Sequence, residues 1–176
     1  MGILRDPHAV KLVVGFIFKD VPVLEDSESA LYARFGAPDA QSPIYTFMHT
    51  DYYRREMGDN LRKKFVSFRK LISPGSLASI KRFTNTVESR FSHQGTRRIN
   101  IDPGYLDSAR VVLASTKDFV HRVYIGRKIF AEVSLFYRDK QYRAWKWTYP
   151  DFRQKKYRDF FGYVRDIYTT QLKEKP

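Results

Sequence analysis

The stretch KLVVGFIF, residues 11–18, decides how the chain is read. It is rich in Val, Ile and Phe, and reads as a buried strand. A helix follows over Val23–Phe35, with Leu24, Leu31 and Phe35 at helical spacing and Gly36 as its stop. Ile44–Tyr53 reads as a strand from its Thr and aromatic content. Arg62–Leu71 reads as another, with Lys64, Val66 and Phe68 alternating against Phe65, Ser67 and Arg69. The clearest helix comes next. Ser73 can cap it, Pro74 suits its first position, and Leu77, Ile80, Thr84, Val87 and Phe91 recur on one face before His93–Gly95 ends it.

Beyond it, Arg98–Asp102 and Ala109–Thr116 read as short strands. Val120–Ile125 and Ile129–Tyr137 form a hairpin, and Tyr142–Thr148 a further strand. The last helix runs from about Pro150 to Leu172, with Tyr157, Phe161, Val164, Tyr168 and Leu172 at helical intervals. The order is β-α-β-β-α-β, then β-β-β-α. It predicts a single α+β domain over residues 1–176. The mostly antiparallel sheet has a ferredoxin-like β-α-β-β-α-β core, extended by C-terminal strands and a C-terminal helix.

Composition narrows the functional classes. Hydrophobic residues make up 43% and aromatics 16% of 176 residues, enough for a packed core. No apolar run approaches the roughly 20 residues of a membrane-spanning helix. The N-terminus has no apolar signal segment, so a cytoplasmic protein is expected. Without cysteine there is no disulfide, thiolate metal site or cysteine nucleophile. The net charge is +13, carried mainly by residues 89–176, which hold 19 basic and 9 acidic side chains against 13 and 10 in residues 1–88. Such a field attracts polyanions: nucleotides, RNA, DNA or acidic surfaces. Phosphate loops of the Walker type, G-x-G-x-x-G, G-x-S-x-G and H-E-x-x-H are all absent.

Several short groupings can carry chemistry, and each also has a structural reading. Gly126-Arg127 fits a two-residue hairpin loop that places His121 opposite Glu132, where a carboxylate can orient an imidazole. The same pair also reads, and more readily, as a bond that satisfies two half-buried polar groups. Asn100-Ile101-Asp102-Pro103-Gly104-Tyr105 reads as a turn that presents Asp102. Lys117, with Arg122 nearby, can neutralise a phosphate. Lys81, Asn85 and Glu88 share a helix face that adjoins the apolar stripe. Trp145-Lys146-Trp147 with Tyr149 is either a stacking platform for bases or the aromatic side of an edge strand.

These groupings together resemble the bacterial family labelled domain of unknown function 4416. The resemblance runs over nearly the whole chain. It rests on Val10-Lys11-Leu12, on Thr50-Asp51-Tyr52-Tyr53 with Glu56-Met57-Gly58, and on Ile80-Lys81, Thr84-Asn85 and Glu88. It continues through Arg98 with Asn100 to Leu106, the block Lys117-Asp118 to His121-Arg122 with Ala131-Glu132-Val133, and Trp147 to Asp151. Arg54-Arg55 stands where the family pattern has an acidic-proline pair. The resemblance implies a shortlist of polar positions: Asp51, Glu56, Lys81, Asn85, Glu88, Asp102, Lys117, His121, Arg122 and Glu132.

Two expectations follow. In the first, the chain binds a phosphate-containing, nucleotide-like anion and acts on a phosphoester. Lys117, Arg122, Lys81, Asn85 and Glu88 hold the ligand, while His121, Glu132 and Asp102 move protons. Asp102 with Asp51 or Glu56 takes Mg²⁺ through oxygen ligands. In the second, the chain is a non-enzymatic RNA- or ribonucleoprotein-binding module that tracks phosphates with its basic surface.

Overall fold

A computed structural model describes residues 2–48, 51–92 and 95–174, without the side chains of residues 51, 52 and 55. In chain order the elements are β1 (Val10–Phe18), α1 (Val21–Phe35), β2 (Pro38–Gln41), β3 (Tyr45–Thr46), α2 (Asp51–Met57), β4 (Arg62–Ile72), α3 (Leu77–Arg90), β5 (Ile99–Leu106), β6 (Arg110–Ser115), β7 (Val123–Tyr124), β8 (Phe130–Arg138), β9 (Gln141–Ala144) and α4 (Lys155–Lys173). Short 3₁₀ turns at Pro74–Ser76 and Pro150–Arg153 lead into α3 and toward α4. No helix among the described residues is long and apolar enough to cross a membrane.

The chain is an α+β protein with one open sheet, and every strand pair in it is antiparallel. The strand order is β2-β4-β1-β5-β6-β8-β7, with β3 also on β4 and β9 also on β8. All nine residues of β1 are buried, because the strand has neighbours on both edges and helices on both faces. Leu12, Val14, Phe16 and Phe18 meet α1 and α3 through Leu24, Leu31, Ile80 and Val87. Val13 faces the other way, in the cluster that α4 fills with Tyr157, Phe161, Val164 and Tyr168. Lys11 is fully buried. Its Nζ donates to Asp39 Oδ2 at 2.5 Å, to the Phe68 carbonyl and to Gln171, joining β1, β2 and α4.

The strands read over Tyr142–Thr148 and Val120–Ile125 shorten to Gln141–Ala144 and Val123–Tyr124, and three further readings give way. Ile44–Tyr53 is not a strand: only Tyr45 and Thr46 pair, and Asp51–Met57 is helical. Ser73 forms no side-chain cap, and the 3₁₀ turn begins the helix instead. The segment Asn100–Tyr105 is no turn but the body of β5. Its Pro and Gly serve a fork in the sheet. β5 pairs with β1 from Ile99 to Leu106, but with β6 only from Gly104 to Leu106. Beyond Gly104 the edge of β5 that would face β6 has no strand partner. Ile101 meets that lack by donating its N–H to Glu88 Oε1 at 2.7 Å and accepting from Lys81 Nζ at 2.7 Å on its carbonyl. Backbone groups alternate edge by edge along an antiparallel strand. The nitrogen of Pro103 therefore points toward the same open edge, where a missing N–H costs nothing.

Gly104 sits at the crotch of the fork. A Cβ there would stand 2.3 Å from the Val112 carbonyl oxygen and 2.7 Å from Leu113 Cδ2. Gly104→Ala must push β6 off β5, and is expected to lower the unfolding free energy by about 3 kcal/mol in a urea titration. A loss below about 1 kcal/mol would mean that β5 and β6 separate freely.

Candidate functional site

A cavity of about 290 Å³ occupies the fork, bounded by β5, β6, α3 and the segment before α4. Lys81, Asn85, Glu88, Asp102, Lys117, Arg122 and Glu132 all line it. These are seven of the ten shortlisted positions, drawn from two helical turns, two strands and a loop. Thr116, Lys117, Tyr149 and Pro150 are its exposed lining residues and form the mouth.

On the α3 side, Lys81 lies 3.3 Å from Asp102 Oδ1 and 3.7 Å from Glu88 Oε1. Asn100 donates from Nδ2 to Asp102 Oδ2 at 2.6 Å. Arg97 donates to Asn100 Oδ1 at 2.9 Å and grips both oxygens of Glu56, at 2.7 and 2.5 Å. That grip holds the Glu56 carboxyl below its ordinary pKa. Burial raises that of Glu88, with Lys81 partly offsetting it. Burial also lifts the Tyr53 phenol far above its ordinary range, and the Asp102 charge adds to the rise.

Across the cavity, Arg122 donates from Nε to Glu132 Oε2 at 2.8 Å, from Nη1 to the Lys117 carbonyl at 2.9 Å and from Nη2 to the Tyr149 hydroxyl at 2.6 Å. Ser134 donates to Glu132 Oε1 at 3.0 Å. The charges of both Glu132 and Asp102 act on Tyr149, whose pKa burial raises. That phenol lines the cavity and accepts from Arg122. The floor is a buried pair, Lys63 with Asp151, whose ammonium lies 4.6 Å from the Phe152 ring centre and 5.3 Å from that of Phe47.

His121 meets Glu132 as expected, with Nε2 at 3.1 Å from Oε2, but not by the expected register. Val123 pairs with Ala131, one residue away from the predicted alignment, and the loop spans Gly126, Arg127 and Lys128, all at positive φ. The contact survives because residues 119–122 form a turn, with Arg122 N–H on the Phe119 carbonyl, that swings the imidazole back. The ring stacks on Trp147 and lies outside the cavity lining.

The metal set fares differently. Both oxygens of Glu56 accept from Arg97, and those of Asp102 accept from Lys81 and Asn100. The side chain of Asp51, with Thr50, His49 and His93, falls outside the described residues. Among the described residues no group of three His, Asp or Glu is placed to hold a metal ion.

Sequence reasoning missed Tyr53, Arg97, Lys63 and Asp151. It took Tyr149, with Trp145-Lys146-Trp147, for a stacking platform or the aromatic side of an edge strand, and it named Arg98 only as part of the family resemblance, whereas Arg97 enters the site. Arg98 instead pairs with Asp20 at 2.8 Å on the surface. Strand alternation from Asn100 and Asp102 favours position 98, but β5 starts at Ile99, so the alternation does not extend that far.

Because its pKa is lowered in the folded state, Glu56 contributes stability that is present above about pH 4.5 and is lost as pH falls below it. Glu56→Gln is therefore expected to cost about 1–2 kcal/mol at pH 7 and almost nothing near pH 2, in urea melts at the two pH values. An equal loss at both would assign the effect to packing and not to the Arg97 ion pair.

Comparison with known proteins adds a family and no activity. No curated protein and no solved structure matches the chain. The model of a family described as a domain of unknown function, DUF4416, matches residues 8–168, and the chain belongs to that family.

Proposed function

We propose that the fork cavity binds a small phosphate-containing anion of nucleotide type. The observation that carries this reading is convergence: polar side chains from α3, β5, β8 and the loop after β6 surround one cavity of about 290 Å³. That volume lies near the lower bound for small-molecule sites. Lys117, Ser115 and Thr116 lie toward the mouth, and with Arg122 they offer charge and hydroxyls to a phosphate. Asn85 and Asp102 offer amide and carboxylate groups to ring N–H donors, between the aromatic walls of Tyr53 and Tyr149. The mixture of signs suits a ligand that both donates and accepts hydrogen bonds.

The stronger form of the reading, phosphoester chemistry with His121 and Glu132 moving protons, has less support. The imidazole is packed against Trp147, outside the lining, and Glu132 is already held by Arg122 and Ser134. The ferredoxin-like description of the first half belongs to the proposal as well. The element order β1-α1-β2, β4-α3-β5, the strand order β2-β4-β1-β5 and the shared packing of α1 and α3 on one face support it.

A thermal-shift series with nucleoside mono-, di- and triphosphates tests the binding. At a hundredfold excess over Kd the gain is about 2.7 kcal/mol, or about 5–10 °C for a chain of this size. Inorganic phosphate or the nucleoside alone is expected to give less, and Arg122→Ala to abolish most of the shift. No shift with any nucleotide at millimolar concentration would overturn the reading.

A further inference from the structure

Beside the cavity mouth the surface is unusually aromatic. Trp145 and Trp147 stack at 5.1 Å between ring centres, Phe136 lies 4.3 Å from Trp145, and His121 stacks on Trp147 at 5.9 Å with Phe119 edge-on to it. This ladder fills the place where the sheet edge is interrupted. β8 is paired by β7 at Phe130–Ala131 and by β9 from Leu135 onward, which leaves Glu132–Ser134 between them. Side chains close that gap, with the Trp147 indole donating to the Val133 carbonyl and Thr148 to that of Ser134. Phe119, Val123 and Tyr124 remain more than 60% exposed, and Tyr149 is 46% exposed while lining the cavity. The patch and the mouth are therefore one surface.

That surface is also basic. Residues 116–149 carry eight Lys and Arg against three Asp and Glu. Arg127, Lys128, Arg138, Lys140 and Lys146 are exposed. An exposed apolar patch of this kind marks an interaction site, and the cationic fringe selects an anionic partner. The cavity takes one nucleotide-sized unit. A longer polyanion entering it must leave by the mouth, over Tyr149 and onto the ladder.

We infer that the ligand of this site is one nucleotide of a single-stranded nucleic acid, whose neighbouring nucleotides run over the aromatic, basic edge at β7 and β9. The inference rests on the nucleotide reading of the cavity. The stacked indoles engage each other's faces, so bases meet the edges of the ladder and the exposed rings of Phe119, Tyr124 and Tyr149. Lysines and arginines around them meet the phosphates. Among polyanions, single strands fit better than duplexes, because only unpaired bases can enter the cavity or lie against the rings.

The chain has only two tryptophans, Trp145 and Trp147, so emission excited selectively at tryptophan, beyond the tyrosine absorption band, reports this patch alone. Four ligands are titrated: a nucleoside monophosphate, an eight-nucleotide single-stranded RNA, the DNA of the same sequence, and phosphatidylserine vesicles. The account predicts that an oligonucleotide quenches the emission and binds at least tenfold more tightly than the monophosphate. Its affinity should fall steeply with salt, by about 0.7 in log–log slope per phosphate contacted. The RNA and DNA arms identify the sugar. Lys140→Glu with Lys146→Glu should weaken the oligonucleotide about tenfold and leave the monophosphate thermal shift unchanged. If the monophosphate binds and neither oligonucleotide binds more tightly, the inference fails while the cavity reading stands. If the oligonucleotides bind but no nucleotide shifts the melting point and Arg122→Ala is silent, the cavity reading fails and the inference with it. Quenching by vesicles alone would reassign the surface to a membrane and overturn the inference.

Discussion

The backbone of one residue, Ile101, holds the site open. It donates its N–H to Glu88 and accepts on its carbonyl from Lys81, two side chains about two turns apart on one face of α3. A strand edge left without a neighbour normally costs a kilocalorie or more per unpaired buried group. Here a helix supplies both partners, so β6 is free to diverge from β5 without stranding the backbone. Pro103 removes the next donor on the same edge, and Gly104 lets the two strands meet closely just before they part. The cavity is the space between them.

The same clamp sets the electrostatics. Lys81 and Glu88 are each buried, and a buried ion survives only with partners. Lys81 therefore draws in Asp102, which draws in Asn100, which meets Arg97, which holds Glu56. The opposite wall repeats the arrangement through Arg122, Glu132 and Tyr149. Lys63 and Asp151 on the floor, like Lys11 and Asp39 under α4, are paired within packed surroundings. The basic surplus of the chain is thus not stored in the cavity. Part of it lies on the surface near the mouth, where exposed Arg127, Lys128 and Lys146 steer anions toward a pocket of balanced charge.

What was legible in the sequence followed strict periodicity. KLVVGFIF, short and rich in Val, Ile and Phe, read as a buried strand, and residues 81, 85 and 88 lie on one face of any helix that contains them. The chemistry of that face was legible too, since Lys, Asn and Glu beside an apolar stripe must find polar company. Asn100–Tyr105 misled because Asp-Pro-Gly is turn chemistry, whereas here Pro and Gly answer to a neighbouring strand far off in the chain. Ile44–Tyr53 misled because Phe47 and Tyr53 pack from a loop and a short helix around Ile17, Met57 and Leu61. His121 and Glu132 were paired on an ideal hairpin; they meet through a turn, so the contact was legible and its geometry was not. Arg97 was not legible, because it lies just before β5 begins at Ile99 and no periodicity reaches it.

The central claim is that the polar residues around the fork form a ligand site and are not only a scaffold. A ¹H–¹⁵N titration with a nucleoside monophosphate tests it residue by residue. The account predicts that the amides of residues 99–102 and 115–118, with Tyr149, shift first and saturate together. Perturbations confined to residues remote from the fork, with those amides unmoved at saturating nucleotide, would contradict it.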